Sequence, residues 1–342
     1  MDIALSFASF DYINSNTKRS QSFCLLALQI EVCIGFSLLT CEIKRIKIVF
    51  IHDYNITDIS GTIQWKKTKL IAYSSQATVH PYREVKTLTP YEQAVFCWKE
   101  RKIRNDAELN EALNSHSISF AYHSGKLENP QISFHDTREI FEHDGVTSYT
   151  GDLRTLFEIR NAKDAHELLL TSFREKRSLS EELVKEFQYC LTKNTYDTRR
   201  WQLGERPGEY KKHDYITGRL EIGATPEDVQ EELSELLSEM TDLPEDKILT
   251  VAAYFHVKFK NSHPFADGNG RTGRLLMNYL LLLYDHPPII IHEEDRKAYY
   301  QALEAFDEVQ ELEPMTCFLK EQTVKTWEKQ VRRAESKRQE TK

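Results

Sequence analysis

Apolar residues recur at helical spacing through most of the chain after residue 88, and this pattern predicts a mainly α-helical fold. Thr89 can cap a helix whose first residue is Pro90, and an intermittent apolar face continues from there to about residue 120. Four further amphipathic helices are predicted over residues 156–170, 180–191, 226–240 and 247–260. Residues 275–284 are so uniformly apolar that they predict a fully buried helix, and another helix opens near residue 296.

The N-terminal quarter of the chain has a different pattern. Short β-branched and aromatic runs at Lys47–Ile51 and Lys69–Tyr73 predict two strands, with Ser60 and Gly61 forming a turn between them. We expect a small N-terminal element that contains β-structure, and its function stays unknown.

The changes in pattern divide the chain into four segments. These are an N-terminal element at 1–85, N-terminal helices at 86–150, a core domain at 151–325 and a charged tail at 326–342. The tail is rich in Lys, Arg and Glu, which predicts a frayed helix.

One apolar run raises the question of a membrane anchor. It covers residues 23–43 and carries Glu31 in its middle, and a central acid is costly in a membrane helix. We expect a buried core element there, with a membrane anchor as the alternative.

The amino-acid composition limits the kinds of partner and the cellular compartment that we expect. The chain has 342 residues, of which 40% are apolar and 29% charged, the balance of a soluble globular protein. Its net charge of -8 argues against nucleic acid as a partner. The six cysteines form no CxxC pair and no zinc spacing, so we expect reduced thiols in a cytoplasmic protein.

Candidate chemistry is concentrated between the helix that ends near residue 260 and the buried helix after it. Gly268 and Gly270 let the backbone approach a ligand, and the N-terminus of the next helix offers free N–H groups to an anion. Asp267 supplies the oxygen that a phosphate-bound Mg²⁺ prefers, and His263 can accept a proton near neutral pH. The spacing of Arg271 and Arg274 predicts two phosphate donors on one helix face.

The stretch from His263 to Arg274 resembles the Fic-family signature, His-Pro-Phe-x-Asp/Glu-Gly-Asn-Gly-Arg-x-x-Arg, at every defined position. The resemblance implies a helical bundle with a β-hairpin flap and a protein adenylyltransferase that uses ATP with Mg²⁺ on Asp267. It further implies that His263 deprotonates a Ser, Thr or Tyr hydroxyl of a target protein. Asn269 and the amides of Gly268 and Gly270 would hold the phosphates, and Arg274 the terminal one. Gly270 stands where a phosphate-transferring branch of the family has another residue, which favours AMP transfer.

A second resemblance concerns Ser124-Gly125-Lys126-Leu127-Glu128-Asn129, which is similar to the Fic inhibitory sequence Ser/Thr-x-x-x-Glu-Gly/Asn. It implies that Glu128 competes with ATP phosphate for Arg274. Since Ser124 and Glu128 are four apart, we expect Ser124 to hold Glu128 from the same helix face. An ordinary helix end before Pro130 is the alternative interpretation.

Other parts of the site are assigned by position within the family. The segment Tyr210–Gly223 predicts a hairpin that resembles the Fic flap, on which an extended target segment can dock. Ile216 on this flap, together with Tyr299 and Tyr300, matches positions that line the nucleoside pocket. Residues 305–308 depart from the family's usual turn, so the residues that would contact the adenine base are left unassigned.

Two other functions remain as alternatives. The chain could remove AMP, with Glu128 activating water, or it could bind nucleotide without turnover. The sequence names neither the target protein nor the oligomeric state, so self-modification and a homodimer are also left open.

Overall fold

The computed structural model describes residues 38–43, 46–51, 69–74, 88–215, 223–241 and 243–340. The chain divides into two compact units, Met1–Lys86 and Thr87–Lys342. Each unit is described by itself.

The first unit contains a three-stranded antiparallel sheet in the order β1-β2-β3. Its strands are β1 (Leu38–Ile43), β2 (Ile46–Ile51) and β3 (Lys69–Ser74). Leu38 pairs with Ile51, which in turn pairs with Lys69. The two predicted strands are therefore confirmed, and β1 adds a third at the end of the apolar run 23–43. The predicted turn at residues 60 and 61 lies outside the described residues.

The second unit is helical in its described residues. Its helices are α1 (Pro90–Lys99), α2 (Asp106–Lys126), α3 (Phe134–His143), α4 (Leu153–Arg174), α5 (Glu181–Thr192), α6 (Thr198–Gln202), α7 (Val229–Ser238), α8 (Ile248–Ser262), α9 (Asn269–Leu283), α10 (Arg296–Val309) and α11 (Glu313–Glu340). Two short 3₁₀ turns, Glu245–Lys247 and Glu293–Asp295, precede α8 and α10. Within the described residues, no helix is both long and apolar enough to cross a membrane.

Helix boundaries follow from capping chemistry where the sequence predicts it. Thr89 accepts a hydrogen bond from the amide of Glu92 while Glu92 accepts one from the amide of Thr89, and Pro90 is the first helical residue. Ser180 caps α5 by accepting from the amide of Leu183. A cap of this kind stabilises a helix by about 1 kcal/mol.

The centre of the second unit is α9, whose residues from Asn269 to Leu282 are all buried. It packs against α2, α4, α5 and α8. Burying a leucine side chain contributes roughly 1.5–3 kcal/mol, so the run 275–283 fixes α9 firmly in the core. The predicted fully buried helix is confirmed, and it gives the residues at its N-terminus a rigid support.

The charged C-terminal residues belong to one continuous helix, α11. Trp327 lies beyond the predicted start of the tail at 326 and is nevertheless buried. Its Nε1 donates to the carbonyl of Pro288 over 2.8 Å, and its ring meets that of Trp98 edge-on. The first two turns after residue 326 are therefore packed against the bundle.

Candidate active site

The loop between α8 and α9 is shaped by its own sequence. His263 ends α8 in the left-handed region at φ 49°, and Gly268 precedes α9 at φ 83°. A Cβ on Gly268 would overlap the Cγ2 of Thr192, so this position requires glycine on two grounds. The left-handed backbone at His263 turns the chain out of α8 directly at the candidate base.

Asn269 holds this loop together with its side chain. Its Oδ1 accepts from the amide of Phe265 over 2.9 Å, and its Nδ2 donates to the Phe265 carbonyl over 2.7 Å. The same Nδ2 lies 3.1 Å from His263 Nδ1. The side chain of Asn269 therefore holds the loop and the histidine, and its predicted contact with phosphate stays a prediction.

His263 is uncharged at neutral pH in this environment. Burial lowers the pKa of His263 to about 3, and the nearby positive charges of Lys260 and Lys211 act in the same direction. A neutral imidazole can accept a proton, as a general base must.

The N-terminus of α9 is where the Glu128 carboxylate lies. A Cβ added to Gly270 would overlap Glu128 Oε1, and it would lie 3.0 Å from Arg274 Nη1. Gly270 thus keeps open a space at a positive helix end, and a carboxylate fills that space.

Arg274 joins Glu128 to the core. Its side chain is 1% exposed, and its Nη2 donates to Glu128 Oε1 over 2.9 Å. Its Nε donates to Ser124 Oγ over 2.9 Å and its Nη2 to the Ser124 carbonyl over 2.8 Å. Arg274 Nη1 makes no hydrogen bond within the described part of the chain. This buried donor beside Gly270 fits a further acceptor, such as a phosphate oxygen.

The ion pair predicted between Glu128 and Arg274 is therefore present. Helix α2 ends at Lys126, but the Asn129 amide still donates to the Gly125 carbonyl over 2.8 Å, so Glu128 lies on the same face as Ser124. Ser124 Oγ accepts from Arg274 Nε, so the two residues meet at the shared guanidinium. Both Ser124 and Glu128 bind the guanidinium of Arg274 from the same side of the site.

Glu128 is ionised in the fold. Burial by itself would raise the pKa of Glu128, but the positive charges of Arg274, Lys260 and Arg271 lower it to about 2. Its side chain keeps 34% of its surface exposed. The side chain therefore reaches solvent on one side while its carboxylate is paired with Arg274.

Arg271 and Arg274 contact different residues. Its Nη1 lies 3.6 Å from Glu158 Oε1 and its Nη2 lies 3.4 Å from Asp267 Oδ1. Arg271 Nε and Nη1 make no hydrogen bond within the described residues, so donation by both arginines to phosphate stays a prediction. Arg271 also positions the carboxylate of Asp267.

Asp267 is the candidate ligand for Mg²⁺, and its donor chemistry fits that ion. Its side chain is 19% exposed, its Oδ1 accepts from the amide of Gly268 over 2.7 Å, and its Oδ2 accepts from Arg154 Nη2 over 2.9 Å. No group of three or more His, Cys, Asp or Glu side chains among the described residues could hold a metal on its own. One carboxylate together with phosphate oxygens is a usual ligand set for Mg²⁺. Arg154, on the solvent side, is the partner that such an ion would displace.

The candidate nucleoside contacts differ in access. Tyr299 is fully buried, and its hydroxyl lies 2.8 Å from His256 Nε2. Tyr300 is partly exposed, and burial and the charge of Glu128 raise its pKa. Of the two tyrosines, only Tyr300 thus presents accessible surface near Glu128. Ile216 and most of the predicted hairpin lie outside the described residues.

Sequence reasoning missed two lysines beside the histidine. Lys211 is 2% exposed, and its backbone N–H donates to the Pro264 carbonyl over 3.0 Å. Burial lowers the pKa of Lys260, although the charge of Glu128 opposes the shift. Both lysines place positive charge near the loop. The position of Lys260 one helical turn before Pro264 could have indicated this.

The fold and the site together define a helical domain in which an uncharged histidine lies beside a glycine-rich helix N-terminus, a kind of site that suits an anion. Residues 178–281 match the model of the Fic/DOC family. The chain therefore contains a Fic/DOC domain.

Relatives and solved structures agree with this assignment. The protein adenylyltransferase Fic of Culex quinquefasciatus is 30% identical over 230 residues, which are 65% of this chain and 43% of the relative. The protein of the same name from Aedes aegypti is 30% identical over 220 residues, 61% of this chain and 40% of the relative. The chain spans less than half the length of these relatives. A Fic-domain-containing signalling protein from Bacteroides thetaiotaomicron has the same fold, with a TM-score of 0.62 at 23% identity over 72% of this chain and 97% of that chain.

Proposed function

We propose that the chain is a protein adenylyltransferase that moves AMP from ATP to a hydroxyl group of a protein, and that Glu128 keeps its basal activity low. One observation carries the proposal: the Glu128 carboxylate lies against Gly270 and Arg274, at the helix end where a phosphate group would bind. The names of the two mosquito relatives support it.

In the proposed reaction His263 accepts the proton of a target Ser, Thr or Tyr hydroxyl. The hydroxyl oxygen forms a bond to the α-phosphorus of ATP, and the bond from that phosphorus to the bridging oxygen of pyrophosphate breaks. The electron pair of the broken bond leaves with pyrophosphate. The pKa of about 3 keeps His263 in the accepting form before ATP binds.

The phosphates are held by the backbone amides at Gly268, Asn269 and Gly270 and by Arg274, which turns from Glu128 to the terminal phosphate. Asp267 would hold Mg²⁺, and that ion would supply charge neutralisation at the phosphates. Arg271 supports Asp267 in this arrangement. Tyr300 contacts the nucleoside, and Tyr299 supports it from the core.

The protein target is proposed to dock along Tyr210–Gly223. This segment comes before the α8–α9 loop in the sequence and contacts that loop. Its described part reaches the loop, because the Lys211 amide donates to Pro264 and the Gly223 backbone lies against Ser262. The chain itself is a further proposed target. In a homodimer, one copy would transfer AMP to the other. A cytoplasmic location is proposed, since Cys97, Cys190 and Cys317 are free thiols.

The test is transfer of label from α-labelled ATP to protein in a lysate, with Mg²⁺, by wild type and Glu128→Ala. Label that survives denaturation and disappears in Glu128→Ala/His263→Ala supports the proposal. Nucleotide binding without retained label would favour a silent binding module. If the protein removes label from a modified target faster than it adds label to an unmodified one, AMP removal is favoured.

A further inference from the structure

The residue after Glu128 has an anchor of its own. Asn129 Nδ2 donates to Glu158 Oε2 over 2.7 Å and to Thr155 Oγ1 over 2.9 Å, and both acceptors belong to α4. Asn129 Oδ1 accepts from the amide of Gln131 over 2.9 Å. The Asn129 side chain thus fixes the backbone next to Glu128 on α4, independently of the ion pair with Arg274.

Glu158 is buried between two arginines. It is 6% exposed, and its Oε1 lies 3.2 Å from Arg154 Nε and 3.6 Å from Arg271 Nη1. The same arginines reach Asp267, with Arg154 Nη2 2.9 Å from Oδ2 and Arg271 Nη2 3.4 Å from Oδ1. Two carboxylates therefore share two guanidinium groups.

We propose that Glu158 is a positioning residue that links the inhibitory segment to the metal-binding acid. Through Asn129 it holds the segment that carries Glu128, and through Arg154 and Arg271 it controls how tightly Asp267 is bound within the protein. The inference rests on the proposed function and deepens it, because it assigns a regulatory connection within the same site.

The connection follows from competition for charge. When the Glu158 carboxylate is present, Arg154 divides its hydrogen bonds between two acids, and Arg271 divides its charge between an ion pair with Glu158 and a contact with Asp267. Asp267 is therefore bound by only part of what the two arginines offer. Without the charge on Glu158, both arginines bind Asp267 more tightly, and a cation must displace more of that interaction. The Asn129 bond is separate, since it uses the other oxygen of Glu158.

Two substitutions separate the two contacts. Asn129→Ala removes the link to the segment and leaves Glu158 with its arginines. Glu158→Gln keeps an oxygen for Asn129 but removes the charge that competes with Asp267. Glu167→Gln, at an exposed position of the same helix α4, is the matched control.

The first measurement is hydrogen exchange of the backbone amides at 127–129, which are hydrogen-bonded to His123 and Gly125 carbonyls. We expect exchange at least about tenfold faster in Asn129→Ala, and a change of less than about twofold in Glu158→Gln and in the control. The second measurement is ATP binding by equilibrium dialysis during Mg²⁺ titration. We expect about tenfold more Mg²⁺ at half-saturation for Glu158→Gln, and an unchanged Mg²⁺ requirement for the other two.

Unchanged exchange in Asn129→Ala, or an unchanged Mg²⁺ requirement in Glu158→Gln, overturns the inference. Neither measurement depends on transfer. Absence of AMP transfer when each variant is combined with Glu128→Ala, with both expected shifts present, would overturn the proposed function and leave the positioning role in place.

Discussion

Replacing Glu128 by Ala should raise AMP transfer by about ten- to fortyfold. The change removes the carboxylate that lies against Gly270 and takes a hydrogen bond from Arg274. Arg274 keeps its two bonds to Ser124, so its guanidinium stays in place for the terminal phosphate. The effect is therefore expected on the population of competent enzyme rather than on the fold.

The magnitude follows from the single contact that is lost. A hydrogen bond to a charged group contributes about 1.5–3 kcal/mol, and the 2.9 Å distance between Glu128 and Arg274 is typical of a charge-assisted bond. The lower part of that range is appropriate because a third of the Glu128 side chain is exposed. Each 1.4 kcal/mol corresponds to about a factor of ten in the ratio of open to closed molecules.

The assay compares initial rates of transfer from α-labelled ATP at saturating Mg²⁺ for wild type, Glu128→Ala and Glu111→Ala. Glu111 is an exposed glutamate on α2, the helix that ends just before Glu128, and its removal should leave the rate within about twofold. Equal rates for wild type and Glu128→Ala would refute the inhibitory role. An equal rise in Glu111→Ala would show that the effect comes from a general change in α2.

Four further outcomes are expected. In the Glu128→Ala background, His263→Ala should reduce transfer by about 10²–10⁴-fold while ATP binding by dialysis persists, and a near-normal rate would remove its role as base. Asp267→Ala should abolish the transfer that Mg²⁺ supports, whereas an unchanged titration of activity with Mg²⁺ would place the ion elsewhere. Gly270→Ala should weaken ATP binding with or without Glu128, because its Cβ lies 3.0 Å from Arg274 Nη1, and unaltered affinity would contradict the cradle. Burial lowers the pKa of His116 and His256 to about 3 and of His166 and His286 to about 4, so the unfolded chain alone takes up these protons below pH 6.5. Stability should therefore be full above pH 6.5 and fall by roughly 1 kcal/mol per histidine at pH 5.5, and a thermal midpoint that is equal at both pH values would contradict this.

The helices and the central loop could be predicted because their determinants are local. Thr89 and Pro90 define a helix start within a few residues, and the apolar run 275–283 has no polar face to expose. The ion pair between Glu128 and Arg274 was predicted across a long sequence separation only because both positions matched family patterns.

The parts that were missed depend on tertiary contacts. Helical spacing places Ser124 and Glu128 on one face, but it cannot show that Ser124 contacts Arg274, which lies 150 positions away in the sequence. Lys211 looks like a surface lysine in sequence, yet the fold buries it next to the α8–α9 loop. Glu158 carries no local pattern at all, because its partners Asn129 and Arg271 come from two distant parts of the chain.

The most direct test of the account uses Glu128→Ala with ATP labelled either at the α-phosphate or at the γ-phosphate. AMP transfer predicts label retained on denatured protein from α-labelled ATP and none from γ-labelled ATP, with both signals absent once His263 is also replaced by Ala. Retained γ-label, or no retained α-label in a lysate where the protein binds ATP, would contradict the account.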